Sequence, residues 1–332
     1  MGNKDISRRD FIKLTSCGAI GLSIPSYVFS QEKPQKIIAK EFSKLPSTDY
    51  YNVAHNEIEW KSASEGLDFS RTEVYRNKEL VDIIATVKIN PEKNKIKVFN
   101  GYNSDKSVIG NIEKWQEMTK ATAMINSAQY QGGEFYYKPC ALVLGNSVSL
   151  NSEGGINCKL KRIGPTKNKA VSGMLVSEPK INSMPEADLL DFKYDSFDLN
   201  NTPYTNGVQH WPILLDREGN IRVNSTLWQA NRTVVAKTKE KEILFMTTEG
   251  GYFTLHNFGR FLKDSNKRED KGFNVHTAMN MDGGYEANMI VKSPSLEYLT
   301  YGEFETYGPG KDATSFGLKM NIPGVIGVFP RD

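Results

Sequence analysis

Apolar runs of strand length recur along this chain, and a polar residue or a pair of glycines cuts off one after another. Val81-Asp82-Ile83-Ile84-Ala85-Thr86-Val87-Lys88-Ile89 is β-branched and largely apolar. Ala121-Thr122-Ala123-Met124-Ile125 stops at Asn126, and Ile243-Leu244-Phe245-Met246-Thr247-Thr248 stops at Glu249-Gly250-Gly251. Ala278-Met279-Asn280-Met281 stops at Asp282-Gly283-Gly284. Runs this short, rich in β-branched residues and bounded by turn residues, read as buried strands rather than helices. A chain of 332 residues with 39% hydrophobic content has the material for a large core, as one big domain or two. No internal repeat and no long linker divides it. The predicted class is therefore α/β (α+β), a single domain with a mixed, strongly twisted sheet and a few helices packed on it.

Along the chain, Val81–Ile89, the turn Asn90-Pro91-Glu92-Lys93-Asn94 and the alternating Lys95-Ile96-Lys97-Val98-Phe99 read as a β-hairpin. Ile109, Ile112, Trp115 and Met118 share one face of a helix ending near Thr119. Ala141–Leu150 reads as two short strands around Gly145-Asn146-Ser147, and 151–206 is the least regular part, with a basic patch (Lys159, Lys161, Arg162, Lys167, Lys169) and an acidic one (Glu186, Asp188, Asp191, Asp195, Asp198) taken as solvated loop charge. Pro212–Val223 reads as strand, turn, strand; Arg232–Lys237 and Val325–Phe329 as strands; and Thr254 starts a helix burying Leu255, Phe258 and Leu262.

The N-terminus follows other rules. Ser7-Arg8-Arg9-Asp10-Phe11-Ile12-Lys13 has the form of a twin-arginine export motif, Leu14–Val28 is weakly apolar, and Val28-Phe29-Ser30 offers a cleavage site. The chain divides into residues 1–30 as a signal peptide, 31–65 as a leader or leading strand, and 66–330 as the functional domain. A periplasmic or other extracytoplasmic destination follows, with the twin-arginine translocase as partner during export. Leu14-Thr15-Ser16-Cys17 also resembles a lipoprotein box, but almost no apolar stretch precedes Cys17. Cys140 and Cys158 are left in an oxidising compartment, either as a disulfide closing a short loop or as two buried thiols. A net charge of +3, from 42 basic and 39 acidic residues, provides no broad basic field for nucleic acid. No run in the mature chain is long enough for a transmembrane segment.

Polar groups at the ends of apolar runs are the candidates for chemistry, because sites form where strand ends converge. They are Asn126, Gln209, His210, Arg232, Glu249 and Asp282. Arg232, at the head of a strand, suits an oxyanion. Glu249 and Asp282 could pair for glycoside chemistry, or each could be an ordinary turn acid. Gly283 and Gly284 permit a sharp turn and close approach of a ligand to the backbone. His55, His256 and His276 show no ligand spacing. There is no Walker loop, no nucleophile elbow and no His-Glu-x-x-His, so neither a cofactor nor a metal is expected.

Taken in order, these pieces resemble the phosphodiester glycosidase domain family, from about Gly66 to Phe329. Ala123-Met124-Ile125-Asn126-Ser127-Ala128-Gln129-Tyr130 is similar to the family's strand ending in Asn, small residues and an aromatic. Gly207-Val208-Gln209-His210-Trp211-Pro212-Ile213-Leu214 is similar to its Gln-x-x-Pro-x-Leu segment, and Asn231-Arg232-Thr233-Val234-Val235-Ala236 to its Arg-Thr strand. Thr248-Glu249-Gly250 and Asn280-Met281-Asp282-Gly283-Gly284 resemble two further signatures. His210-Trp211 replaces small residues, and Tyr285-Glu286-Ala287 follows where serines are common.

The resemblance implies hydrolysis of a sugar-1-phosphodiester or phosphoglycan, releasing the sugar. Asp282, Glu249 and Arg232 would be catalytic. Asn126, Gln209, His210, Thr233, Gly283 and Gly284 would bind substrate, with the glycine N–H groups on the phosphate and His210 as acid or phosphate donor. The alternatives are a non-catalytic envelope carbohydrate-binding protein on the same fold, and a metal-dependent phosphodiesterase using Asp282 and Glu249 as oxygen ligands.

Overall fold

A strand that is apolar on both faces needs cover on both faces, and this chain supplies it with stacked sheets and outer helices. The computed structural model describes residues 50–101, 110–131, 138–150, 156–167, 170–306, 314–315 and 319–331. The export signal, Cys17 and the segment 31–49 lie outside the described residues, as do Ile109 and Lys169. In chain order the strands are β1 (Val53–His55), β2 (Lys61–Ser64), β3 (Leu67–Arg76), β4 (Glu79–Ile89), β5 (Asn94–Asn100), β6 (Ala123–Asn126) and β7 (Val143–Leu150). Next come β8 (Ile156–Ile163), β9 (Gly173–Pro179), β10 (Ala187–Asp191), β11 (Tyr204–His210), β12 (Ile213–Leu215), β13 (Thr233–Thr238) and β14 (Ile243–Thr248). The last are β15 (Val275–Asn280), β16 (Met289–Lys292), β17 (Glu297–Thr300), β18 (Phe304–Glu305), β19 (Thr314–Ser315) and β20 (Gly324–Pro330). The helices α1 (Ile112–Thr119) and α2 (Leu255–Ser265) pack on them.

The first sheet runs β1-β3-β4-β14-β13-β15-β12, with β2 on β3, and the second runs β10-β9-β11-β7-β5-β20-β6-β16-β17, with β8 on β7. β5 and β7 are parallel, which makes the second sheet mixed. The sheets face each other across one core that takes Val87, Val235, Phe245 and Met279 from the first and Val98, Ile125, Val208 and Ile326 from the second. The alternate residues of the first sheet, Ile84, Val234, Leu244 and Met246, meet Phe258, Phe261 and Leu262 of α2. Ile112 and Trp115 of α1 meet Met124 and Val325 on the far side of the second sheet. The period of two therefore divides each central strand between two cores, which is why these strands read as unbroken apolar runs. Each fully buried Val, Leu, Ile or Phe contributes about 1.5–3 kcal/mol. Side chains cap both helices: Thr254 accepts from Asn257 N where the second helix was expected to start, and Asn111 accepts from Lys114 N, so α1 begins at Ile112 rather than at Ile109. The α/β class with a single domain stands, and its strands are divided between two large sheets and the small pair β18-β19.

Several local expectations need correction. β4 and β5 do not form a hairpin. β4 pairs with β3 and β14, whereas β5 pairs with β20 and β7. The turn between them carries the chain from one sheet to the other, because both strands are apolar enough to need neighbours on each side. Asn94 secures this crossing by donating to the Glu65 and Gly66 carbonyls at 3.1 and 3.0 Å. β7 is one continuous strand; Gly145 is there because the Val98 carbonyl leaves no room for a Cβ, not because the chain turns. The stretch 151–206 holds β8, β9, β10 and the start of β11, short strands with polar outer faces that hide their period. Its acids are not all solvated: Asp191 is buried 3.1 Å from Arg222, and Asp188 pairs with Lys237 at 2.5 Å. The return strand expected near Ile221–Val223 is reduced to a single bridge between Leu215 and Ile221. Residues 53–64 join the first sheet through β3. No disulfide joins Cys140 and Cys158, and Cys158 is exposed rather than buried. Among the described residues, no helix is long and apolar enough to cross a membrane.

Candidate active site

Crossings between the sheets bring the predicted residues together. β11 ends at His210, passes a cis Trp211–Pro212 bond and becomes β12 of the first sheet. β15 ends at Asn280, and its turn delivers the chain to β16 of the second sheet. β6 ends beside that turn at Asn126, which is fully buried. The Asn126 amide donates to the Asp282 carbonyl at 2.7 Å, and its Oδ1 accepts from Thr233 Oγ1 at 2.7 Å and Asn288 N at 3.1 Å. Met281 N donates to the Thr233 carbonyl and Asp282 N to that of Ser127, so strands of both sheets hold the turn. Asn126 and Thr233 are thus internal braces of the Asp282 turn.

The glycines are braced as well. Gly283 N donates to Asp282 Oδ1 at 3.1 Å, and Gly284 N donates to the Asn231 carbonyl at 2.8 Å. This corrects the expectation of a phosphate cradle, because both N–H groups already have protein acceptors. Gly284 has φ 67°, and a side chain there would collide with the Glu305 carboxylate. Arg232 is half-buried. It donates from Nε to the Phe253 carbonyl at 3.1 Å and from Nη2 to the Trp228 carbonyl at 2.6 Å. Its remaining nitrogen, Nη1, lies against Gly283, where a Cβ would sit 3.7 Å from it. Burial lowers its pKa to about 10, against the pull of Glu305, so it stays cationic at neutral pH.

His210 is buried, and its Nδ1 lies 2.6 Å from the Asn280 carbonyl. A carbonyl only accepts, so the proton is on Nδ1 and Nε2 carries a lone pair. Burial pushes its pKa below the usual histidine value while the Asp282 charge pulls it up. The ring is therefore a neutral acceptor, which corrects the expected role as acid or phosphate donor. Gln209 does not face the turn. It is fully buried, accepts from Lys167 N at 2.9 Å and donates to Ser172 Oγ at 3.4 Å, which fixes the neighbouring loop.

Glu249 differs most from expectation. Its oxygens accept from Arg71 Nε at 2.6 Å and Nη2 at 2.5 Å, and Oε1 also accepts from Tyr298 Oη at 2.8 Å. Its charge is engaged by a bidentate arginine rather than turned toward Asp282. Sequence reasoning missed Arg71 and Tyr298, and it missed Asp82, whose carboxylate accepts from Ile83, Gly250 and Tyr252 N and so shapes the turn after Glu249. Burial raises the Asp82 pKa to about 7. The available signal was an acid inside an otherwise apolar run. Asn231 was also missed: its side chain accepts from Glu303 N and Phe304 N and donates to the Thr248 carbonyl, locking the strand end between the two turns. Buried acceptors without a partner gather at the Asp282 turn, on His210 Nε2, Asn280 Oδ1 and Asn288 Oδ1. Unmet buried groups of this kind mark places where a ligand completes the hydrogen bonding.

Polar strand ends thus gather at a seam between the two sheets of an α/β protein, with an arginine against an Asp-Gly-Gly turn. The chain belongs to the phosphodiester glycosidase family, whose sequence model matches residues 157–329. No curated protein matches it. Among solved structures, a hypothetical protein from Synechocystis superposes with a TM-score of 0.48 at 12% identity, over 83% of this chain and 64% of that one. The present chain thus spans under two thirds of the Synechocystis protein. The catalytic domain of zebrafish N-acetylglucosamine-1-phosphodiester alpha-N-acetylglucosaminidase, auto-inhibited by its pro-peptide, gives a TM-score of 0.47 at 13% identity over 86% of each chain. A putative exported protein from Burkholderia pseudomallei gives 0.40 at 10% identity, over 75% of this chain and 74% of that one.

Proposed function

We propose that this protein is an exported hydrolase that releases a sugar from a sugar-1-phosphodiester on an envelope or exogenous glycoconjugate. The observation that carries the reading is the placement of Arg232 Nη1 against Gly283, next to the residue that bears the Asp282 carboxylate. In the reaction the bond between the anomeric carbon and the phosphate oxygen breaks, and its electron pair leaves with the oxygen. Water supplies the hydroxyl to the sugar and a proton to the medium, and the other product is a phosphate monoester. Such a monoester, with a second pKa near about 6, leaves without a strong acid. That suits a site where His210 is neutral and Glu249 is held by Arg71. Arg232 stabilises the charge growing on the phosphate. Asp282 faces the oxocarbenium-like carbon as nucleophile, base or electrostatic partner. Asn126 and Thr233 position the Asp282 turn from behind, Gln209 fixes the neighbouring loop, and the twin-arginine segment directs export.

The test is release of free sugar from an N-acetylglucosamine-1-phosphodiester by purified mature protein. Arg232→Ala and Asp282→Ala should abolish release while leaving the far-UV circular dichroism unchanged. Full activity in both variants would remove the site assignment. The engagement of Glu249 by Arg71 favours a second reading, a carbohydrate-binding protein without turnover, which predicts glycan binding and no free sugar across a substrate panel. A metal-dependent phosphodiesterase would need Glu249 as a ligand, and both of its oxygens have partners.

A further inference from the structure

Trp211 reaches beyond the Asp282 turn. Its ring stacks on His210, with centroids 5.2 Å apart and planes 17° from parallel. It also lines a cavity of about 240 Å³ whose other walls include Lys167, Ser172 and Gln131. This cavity is reached from Asp282 through Asn280 and His210, whereas Arg232 is reached from Asp282 through Gly283. Trp211 and His210 thus connect the cavity to the turn that carries Asp282, and with Arg232 assigned to the scissile phosphate the cavity is left for the sugar.

The walls are built and not incidental. Gln209, fully buried, holds Lys167 by its backbone N–H at 2.9 Å, and Ser172 Oγ donates to the Lys167 carbonyl at 3.3 Å. Lys167 is half-buried and makes no ion pair among the described residues. His210 Nε2, on the ring that Trp211 stacks against, is a buried acceptor without a partner. An aromatic face stacks on the C–H face of a pyranose, and Gln131 and Ser172 suit its hydroxyls. The volume is below the roughly 300–1,000 Å³ of pockets for drug-sized ligands, a scale that fits one sugar ring. With Arg232 assigned to the scissile phosphate, Lys167 in the cavity wall is a second cation available to a second anion.

We propose that this cavity seats the released sugar and that the sugar is acidic, a pyranose carrying a carboxylate or a phosphate besides the scissile phosphodiester. Trp211 is the platform and Lys167 reads the charge. The inference rests on the functional reading above. Its test is calorimetric binding of glucuronic acid 1-phosphate, glucose 1,6-bisphosphate and neutral-ring glucose 1-phosphate to the mature protein. At least one of the two acidic sugars binds about tenfold tighter than glucose 1-phosphate, the scale of one charge-assisted contact. Which of them does so separates carboxylate from phosphate. The preference disappears in Lys167→Met, survives in Lys167→Arg, and Trp211→Ala weakens all three ligands. Equal affinities in the wild type, a preference that persists in Lys167→Met, or unchanged binding in Trp211→Ala would overturn the proposal while leaving the hydrolase reading intact. Failure of all three ligands to bind would also overturn it, and the hydrolase reading then stands or falls on the sugar-release assay alone.

Discussion

Two turns in this protein share a pattern, an acid followed by two glycines at the end of a buried strand, and they do different things. Glu249-Gly250-Gly251 closes β14, and Asp282-Gly283-Gly284 closes β15. In each, the second glycine has positive φ, 73° at Gly251 and 67° at Gly284, and each packs against β18, Gly251 on Phe304 and Gly284 on Glu305. The difference comes from strands remote in sequence. Arg71 on β3 and Tyr298 on β17 take both Glu249 oxygens, and buried Asp82 on β4 pins the backbone after it. The Asp282 turn is held instead through its backbone, by Asn126 and Asn231, with Arg232 and His210 flanking it. A turn motif specifies a shape; its neighbours decide whether the acid is structural or chemical.

The strongest way to break this comparison is to exchange the acids for neutral residues. Asp282→Ala is expected to lose at least about 10³-fold in sugar release with little change in melting temperature. Glu249→Gln is expected to stay within about tenfold of wild-type activity and lose about 1 kcal/mol in denaturant unfolding. The loss is small because Arg71 is 39% exposed and the ion pair is screened. The reverse ranking would mean that the two roles are swapped. The arginines offer the next contrast. Arg232→Lys keeps the charge but loses the tethers to Trp228 and Phe253, and a loss of about 10²-fold in kcat is expected; Arg71→Lys leaves kcat near wild type.

The glycines sharpen the comparison further. Gly251→Ala and Gly284→Ala each place an L-residue at positive φ against a neighbour, costing about 1–2 kcal/mol by unfolding, and only Gly284→Ala also lowers kcat. The contrast with the smallest effect on activity concerns pH. The folded pKa of Asp82, about 7, lies above the ordinary aspartate value, so the folded state holds this proton more tightly. Its contribution is present at acidic pH, declines as pH rises from about 4 toward 7, and is gone above that. Melting curves across this range should show the slope in the wild type and a flatter one in Asp82→Asn, with activity at the Asp282 turn following neither.

Much of the frame was legible because burial on both faces leaves unbroken apolar runs, and the ends of those runs fell where β6, β14 and β15 end. Partner choice was not legible. Val81–Ile89 and Lys95–Phe99 look like a hairpin because they are neighbours in sequence, and nothing local records that each needs strands from the far end of the chain. The same gap affected the site. Asn126, Arg232, Thr233 and Asp282 do meet, and Gln209 stands one layer behind. Glu249 reads as a catalytic acid in the sequence because Arg71 sits 178 residues earlier on a strand with no sign of its partner. The direction of the His210 proton depends on the Asn280 carbonyl, a backbone atom that no motif displays.

Hydrolysis of a sugar-1-phosphodiester in ¹⁸O-labelled water by the mature protein and by Asp282→Ala, with both an N-acetylglucosamine and a glucuronic acid substrate, shows which bond breaks. The predicted result is label on the anomeric carbon of free sugar, an unlabelled phosphate monoester, and neither product from the variant. Label in the phosphate, with the sugar released as its 1-phosphate, would contradict it.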